Sequence, residues 1–271
     1  MTQKKLKETQ NEIVIEGIKE ISKNVYNDGL QSAIQEAGGA IGTMIGFFNN
    51  VVLYPLRKLN IKFQQKAKAF EKEMEEKYNK IPEENRVEPP INVVGPALES
   101  LKYNIDEEHI RNMFKNILVN SMDNRVSNLA HPKFIKIIEQ MSNNDAMLFS
   151  IIYNKPEPHS FICSPKILCD NNQKVFMETP QYYSNLNSSL DLFAESIALN
   201  NLANLGLIEL SFVEFAKDKQ IYQNIVNASK AQELIDYVNK VTGFQDAHYE
   251  VEKKGLFKVT DIGKSFAKVC L

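Results

Sequence analysis

The sequence predicts a mainly α-helical protein with a small α+β, winged-helix-like C-terminal region. Two observations lead to this prediction. Apolar residues recur every three to four positions through most of the chain, which is the period of a helix with one buried face. Short β-prone runs stand out only after residue 155, among them 207–212 (LIELSF) and 256–260 (LFKVT). With 271 residues and a hydrophobic content of 43%, the chain is long enough to bury a core in one or two domains.

The first predicted domain, 1–80, is expected to be helical. Its most unusual stretch is 37–56 (AGGAIGTMIGFFNNVVLYPL), which carries no charge. Gly38, Gly42 and Gly46 are four residues apart, so a helix places them on one face, where another backbone can approach closely. A second, highly charged amphipathic helix is predicted at 57–80. Its narrow apolar stripe consists of Leu59, Phe63, Ala67, Phe70 and Met74.

A proline-rich segment, 81–96 (IPEENRVEPPINVVGP), is predicted to be an extended linker and the domain boundary. Beyond it, 97–271 is predicted as a helical core whose part from about 144 to 271 is winged-helix-like. Residues 156–184 combine four prolines with β-prone runs, which indicates short strands or an irregular insert. The predicted helices before that insert are 97–103, 106–121, 132–141 and 144–153, the last with a buried face of Ala146, Leu148, Phe149 and Ile152.

The element order after the insert is that of a winged helix-turn-helix. A helix at 190–205 ends at Gly206, a residue type that commonly follows the last turn of a helix. A strand at 207–212, an amphipathic helix at 220–241 and a strand at 256–260 follow, and DIGKSFAKVC closes the chain as a helix. In this interpretation 190–205 is the recognition helix, and 220–241 is inserted between the two strands of the wing.

Several segments together carry a resemblance to a known family. They are RVEPP at 86–90, ALESLKYNIDEEHIRNMFKNILVNSMD at 97–123, HPKFIKIIEQMSNNDAMLF at 131–149, LNNLANLGLIEL at 199–210 and TDIGKSFAKVC at 260–270. From Arg86 onward the chain resembles the abortive-infection alpha (Abi-alpha) family, a domain of unknown function. The resemblance implies a bacterial anti-phage protein whose activation sacrifices or arrests the infected cell. It brings no catalytic residues with it.

Membrane contact depends on 37–56, which has about the length that spans a bilayer. Its asparagines, proline and glycines offset most of the roughly −3 to −5 kcal/mol that its apolar side chains contribute to insertion. We therefore expect a helix docked against a partner backbone, with conditional contact at a membrane surface as an alternative. In that alternative Phe47 and Phe48 anchor the helix. The basic residues that would contact lipid head groups or acidic partners are Lys58, Lys62 and Lys66.

Composition argues against DNA binding. The formal net charge of the chain is −2, and the predicted recognition helix has no basic residue but carries Asp191 and Glu195. Because Lys and Arg side chains neutralise the phosphates and supply much of the affinity for DNA, such a helix is a poor DNA ligand. The winged region is better interpreted as a packing or protein-interaction module.

An RNase is the enzymatic alternative. Arg125 and His131 in RVSNLAH match the spacing of the HEPN class of RNases, an arginine followed after four to six residues by a histidine. The guanidinium would stabilise the scissile phosphate, and the imidazole would transfer the proton. Pro132, directly after the histidine, departs from this pattern. The competing interpretation is that His131 caps a helix and Arg125 is a solvated loop residue.

No cofactor and no metal site is predicted. The three cysteines form no CxxC pair and indicate a reducing, cytosolic setting. No phosphate-binding GxxxxGK[ST] motif occurs. The sequence therefore predicts a non-enzymatic cytoplasmic protein that self-associates or binds another protein. In the membrane alternative it is peripheral to the inner membrane, RNA is a partner only in the RNase alternative, and a regulatory winged-helix interaction module is a further alternative.

Overall fold

The computed structural model of the protein confirms the predicted fold class, since helices dominate and a small antiparallel sheet lies in the C-terminal part. The chain divides into two compact units, Met1–Asp106 with Leu118–Asn128, and Glu107–Ile117 with Leu129–Leu271. The residues that the structure describes are 40–48, 61–155, 159–169, 173–174, 179–243 and 245–271.

The first unit contains helices α1 (Ala40–Phe47), α2 (Ile61–Tyr78) and α3 (Ile91–Asn104). Helix α3 begins inside the segment that was predicted as a linker. Pro96, the last residue of the predicted linker, lies within α3. A proline inside a helix removes the hydrogen bond to the carbonyl four residues earlier but does not prevent the helix from continuing.

The chain between α2 and α3 is fixed by backbone hydrogen bonds within this unit. The N–H of Val87 donates to the carbonyl of Met122 at 2.9 Å, and the N–H of Asn124 donates to the carbonyl of Asn85 at 2.9 Å. Arg86 and Asp123 form an antiparallel bridge between the same two segments. The proline-rich segment is therefore paired with residues 122–124 at this point.

Helix α4 (Glu108–Asn120) has its residues 108–117 in the second unit, together with α5 (Pro132–Glu139), α6 (Asn143–Asn154) and α10 (Asp261–Cys270). Phe266 of α10 makes edge contacts with Phe134 of α5 and Phe149 of α6, at centroid distances of 5.3 and 5.6 Å. Such aromatic contacts add to the burial of apolar area. The predicted buried face of α6 is confirmed: Ala146, Leu148, Phe149 and Ile152.

The strands of the second unit are β1 (Ser160–Cys169), β2 (Gln173–Lys174), β3 (Tyr183–Ser184), β4 (Ile208–Ser211) and β5 (His248–Val259). They form a sheet of the order β2-β1-β5-β4, with antiparallel neighbours, and β3 also pairs with β1. Where the sequence predicted short strands or an irregular insert, β1 is a ten-residue strand along β5. Its register with β5 shifts between Ser164 and Pro165, which lets a residue without an N–H group stay in a strand.

The helix predicted at 220–241 is two helices, α8 (Lys219–Val226) and α9 (Ser229–Thr242). Ala228 between them has an extended backbone, with φ −62° and ψ 149°. Side chains of α8 pack in a cluster with Cys163 of β1, and side chains of α9 pack in another with Ile167. The break therefore lets each helix bury its own apolar face beside a different part of β1.

Helix α7 (Leu192–Asn204) has Leu205 as its C-cap and is followed by Gly206, the glycine that was predicted to end it. Gly206 has a φ of +75°, and the N–H of Leu207 donates to the carbonyl of Leu202 at 3.0 Å, so the chain turns directly into β4. Strand β4 pairs with the end of β5, from Ile208 opposite Val259 onward. Strand β4 and the end of β5 lie where the sequence predicted strands, whereas residues 248–255 of β5 were not predicted as a strand. The identification with a winged helix stays a prediction.

Candidate functional site

The glycine-bearing helix α1 lies against α2 in the first unit. Met44 and Phe48 are fully buried, and the ring of Phe48 stacks on that of Phe70 with a centroid distance of 5.3 Å. Ala67 and Met74, which belong with Phe70 to the predicted apolar stripe of α2, are also buried. These residues of the apolar stripe of α2 are therefore buried within the protein, and the segment of α1 and Phe48 covers part of the stripe.

The glycines of α1 lie on a different face from the residues that it buries. Gly42 and Gly46 are each two positions before Met44 and Phe48, which corresponds to about 200° around the helix axis. Both glycines are half-buried, whereas Met44 and Phe48 are fully buried. We call the side of α1 that carries Gly42 and Gly46 the glycine face.

Other residues predicted for this region are placed as follows. Gly38 and Lys58 lie outside the described residues, and Phe47 and Lys62 are described only as backbone positions of α1 and α2. Phe48, predicted as a membrane anchor, is buried on α2 and not exposed. The ammonium of Lys66 forms an ion pair with Asp106 at 2.5 Å.

Arg125 forms a fork with a carboxylate two residues earlier. Its Nη2 donates to Oδ2 of Asp123 at 2.6 Å, and its Nε donates to Oδ1 at 2.9 Å. The side chain of Asp123 is only 8% exposed, and its hydrogen bonds with Arg125 lower the pKa of the carboxyl. The guanidinium that the RNase alternative requires is therefore bound to a protein carboxylate.

His131 is the N-cap of α5. Its Nδ1 accepts a hydrogen bond from the backbone N–H of Lys133 at 3.0 Å, and Pro132 occupies the first turn of the helix. A ring nitrogen that accepts from a helix N-terminus is not available as a general base. Arg125 and His131 belong to different compact units.

The acidic residues of α7, the predicted recognition helix, have structural partners. Asp191 is the N-cap and accepts from the N–H of Ala194 at 2.8 Å. Glu195 is buried and accepts hydrogen bonds from the hydroxyls of Ser184 and Ser188. The exposed large side chains of α7 are apolar, Phe193 and Ile197.

The cysteines are free and buried: Cys163, Cys169 and Cys270. Burial raises the pKa of the Cys163 thiol to about 12, so it stays protonated at neutral pH and is a poor nucleophile. Among the described residues, no group of three or more His, Cys, Asp and Glu side chains is placed to hold a metal ion. In the part of the chain that the structure describes, every helix is too short or too polar to cross a membrane.

Two apolar surfaces of the second unit were not predicted from the sequence. One is the loop after β4, where Val213 and Phe215 are exposed. The other is a groove lined by Phe193 and Tyr237. The first was missed because LIELSF followed by VEF resembles a continuing strand, and the second because it forms only when α7 and α9 meet.

These features define a mainly α-helical protein with a small C-terminal antiparallel sheet. The model of the abortive infection alpha family matches residues 62–270, which is more than half of the chain. The chain belongs to this family, and membership implies a role in abortive infection. No curated protein and no solved structure matches the chain.

Proposed function

We propose that this protein acts in abortive infection without catalysis, through association of its first unit with a second copy, and that the glycine face of α1 is the contact surface. The position of that face supports the proposal. Met44 of α1 is buried, and Phe48 directly after the helix stacks on Phe70 of α2. The side that carries Gly42 and Gly46 is directed away from these two residues.

The chemistry of this face suits a helix–helix contact. Two glycines one turn apart remove the side chains that normally keep helix axes 8–10 Å apart. A second backbone then approaches closely and gains van der Waals and Cα–H···O contacts. The residues of α1 around the glycines are apolar or neutral, so the contact also removes apolar area from water.

Replacement of Gly42 by Leu tests this proposal. Leucine fills the glycine face but is a better helix former than glycine, by slightly less than the roughly 0.8–1.0 kcal/mol that separates alanine from glycine, so α1 stays helical. We expect cells that express Gly42→Leu to lose protection from phage, measured as plaque formation and cell survival. Ile45→Leu is the matched control, because it conserves volume on the same helix. Full protection by Gly42→Leu would show that the glycine face is not the contact.

Conditional membrane contact is the second part of the proposal. It is supported by the uncharged stretch 37–56 and by the basic residues Lys58 and Lys62 that follow it. We expect the protein to sediment with vesicles that contain phosphatidylglycerol, and Lys58→Glu with Lys62→Glu to weaken this binding. The same reversals at Lys68 and Lys72 are the control. A wild-type protein that stays in the supernatant, from infected and uninfected cells, would refute this part.

A further inference from the structure

Three helices of the second unit surround a cavity. Its volume is about 320 Å³, which is at the lower end of the range of small-molecule sites. The cavity is lined by residues of α4 between positions 109 and 116, by residues of α6 between positions 146 and 154, and by the end of α10. All the lining residues belong to the second unit, so the cavity is a feature of one compact body.

The helix faces that meet at this cavity are polar, whereas the facing sides of packed helices are normally apolar. Asn112 and Asn116 lie one turn apart on α4, and Ser150 and Asn154 lie one turn apart on α6. Apolar side chains at these four positions would close the gap between the helices. Convergent polar side chains around an open gap are typical of a binding site for a polar ligand.

Hydrogen bonds between the helices fix the shape of the cavity. The backbone N–H of His109 donates to Oδ1 of Asn143 at 2.9 Å, which joins the start of α4 to the start of α6. Nδ2 of the buried Asn116 donates to the backbone oxygens of Cys270 and Leu271 at 3.0 and 2.8 Å, which joins α4 to the end of α10. The site is therefore preorganised, and a ligand loses less affinity to the ordering of side chains.

The polar groups of the cavity are mainly hydrogen-bond donors. Oδ1 of Asn112 already accepts from the ammonium of Lys115 at 2.9 Å, so the amide N–H groups of Asn112 are left to donate. The Ser150 hydroxyl accepts from Nδ2 of Asn154 at 3.3 Å and keeps its own proton for a ligand. The Tyr153 hydroxyl forms no hydrogen bond within the part of the chain that the structure describes. A ligand rich in acceptor oxygens and nitrogens matches these groups.

The charged side chains of the cavity favour an anion. Lys268 lines it from the last turn of α10, is exposed to solvent and forms no ion pair with a described residue. Of the described residues that line the cavity, none is Asp or Glu. An anionic ligand is therefore attracted by the ammonium without repulsion from an acidic side chain.

An aromatic ring and small apolar side chains complete the lining. The ring of Tyr153 packs on that of Phe149 with a centroid distance of 6.5 Å, which holds it in place, and it is half-buried. Met113, Ala146 and Ala267 line the cavity and are buried. The site therefore offers a surface for a flat, weakly polar group in addition to its donors and its cation.

We propose that this cavity binds a nucleoside monophosphate. The phosphate contacts the ammonium of Lys268 in a charge-assisted hydrogen bond, and the base lies against the ring of Tyr153. The edge of the base, which carries both donors and acceptors, pairs with the carboxamides of Asn112 and Asn154. A free phosphate would leave the ring and the carboxamides without a partner, and a nucleoside would leave Lys268 without one.

Isothermal titration calorimetry of the full chain with AMP, GMP, CMP and UMP tests this assignment. We expect at least one of the four to bind with a stoichiometry of one. The corresponding nucleoside and inorganic phosphate should each bind at least tenfold more weakly. Failure of all four nucleotides to bind would overturn the inference. A nucleoside or a free phosphate that binds as tightly as the nucleotide would also overturn it.

Lys268→Ala examines the phosphate contact. It should weaken nucleotide binding about tenfold and leave the weaker binding of the nucleoside unchanged, because only the phosphate contacts this ammonium. Lys264→Ala is the matched control, since Lys264 lies one turn earlier on α10 and pairs with Asp261. Both lysines are exposed, so both variants should fold. Equal losses of nucleotide affinity in the two variants would contradict the proposed site.

Ser150→Leu examines the cavity itself. Leucine fills the space between α4 and α6, so nucleotide binding should be lost, whereas the neighbouring Ile151→Leu on the same helix should leave it unchanged. Unaltered binding by a Ser150→Leu protein with a preserved circular dichroism spectrum would place the ligand elsewhere. Because the lining residues all belong to the second unit, nucleotide binding should be the same in Gly42→Leu, which keeps this proposal separable from the glycine face.

Discussion

The two units use glycine in opposite ways. In the second unit, Gly263 of α10 lies so close to the chain after α7 that a Cβ atom would be 2.1 Å from the carbonyl oxygen of Leu207. In the first unit, Gly42 and Gly46 lie on the side of α1 opposite the residues that it packs on α2. Gly263 therefore has a backbone partner within its own unit, whereas Gly42 and Gly46 lie away from the packing of α1 on α2 that the described residues show.

The difference shows what a glycine pattern by itself signifies. Glycines four apart on one helix face predict a close approach of two backbones. Around Gly263 such an approach is built into the unit: Thr260 caps α10 and donates to the carbonyl of Gly206 at 2.6 Å, and Phe266 is buried in the core. The glycine face of α1, in contrast, is defined only by the spacing of its glycines and by the burial of Met44 and Phe48 on the other side.

The largest effect is expected for Gly263→Ala. Because the new methyl group would meet a backbone carbonyl, α10 or the turn before β4 must shift, at a cost of about 1–3 kcal/mol in the free energy of unfolding. Urea denaturation followed by circular dichroism measures this. Lys264→Ala on the same helix is the control, since it removes only an exposed ion pair with Asp261, worth a few tenths of a kcal/mol at most. Equal stabilities would contradict the close contact.

Gly42→Ala should have the opposite sign. If no backbone of the same unit needs this face, alanine stabilises α1 by about 0.5–1 kcal/mol through its helix propensity. Hydrogen exchange of the α1 amides measures the local stability. Gly206→Ala is the contrasting variant, because its φ of +75° disfavours a side chain and should cost about 1 kcal/mol. A destabilised Gly42→Ala protein would mean that the glycine face is already packed.

Arg125→Ala tests whether the ion pair between Arg125 and Asp123 stabilises the fold of the first unit. Arg125 lowers the pKa of Asp123 in the folded state, so this carboxylate stabilises the protein above its usual pKa of about 3.9. The contribution disappears as the pH falls through the lower, folded-state value. We therefore expect the wild type to be more stable than Arg125→Ala near neutral pH and the difference to vanish in acid, measured by urea denaturation at several pH values.

The same variant examines the RNase alternative. Arg125 is bound to Asp123, and His131 caps the N-terminus of α5. We therefore expect cells that express Arg125→Ala or His131→Ala, at levels matched to the wild type, to stay protected from phage. Loss of protection in both variants, with a preserved circular dichroism spectrum, would favour the RNase.

The smallest effect is expected at Cys163. Burial raises the pKa of its thiol to about 12, and the other two cysteines are buried as well. Iodoacetamide at pH 8 should therefore leave the native protein unmodified and alkylate all three cysteines in urea, as counted by mass spectrometry. Rapid alkylation of the native protein would show that the core of the second unit opens readily.

The sequence predicted correctly those features of the fold that depend on a few neighbouring residues. The buried face of α6 and the end of α7 at Gly206 follow from spacing and from one residue type, and both are confirmed. The start of α3 at Ile91 was predicted too late, because Pro96 reads as a breaker although the helix continues through it. The long strand β1 was missed, since its partner β5 lies some 90 residues further along the chain by the register Phe161 opposite Leu256.

The sequence predicted which residues matter in the candidate site, but not which groups each of them contacts. The apolar stripe of α2 and the glycines of α1 are visible in the sequence. Only the structure, in which Phe48 stacks on Phe70, shows which side of α1 packs on α2 and which side carries the glycines. Arg125 and His131 matched a catalytic spacing, and the structure pairs each with a different group. The groove beside Phe193 needs two helices that are distant in sequence.

The sequence by itself determined the fold class, the family and local features such as the end of α7 at its glycine, because periodicity, composition and capping act over a few neighbouring positions. Tertiary structure alone decided which glycines are already in contact, which polar groups are paired and which apolar side chains remain exposed. The physical reason is that burial and close approach are properties of pairs of segments. A glycine such as Gly263 and one such as Gly42 look alike in the sequence until the backbone beside each of them is known.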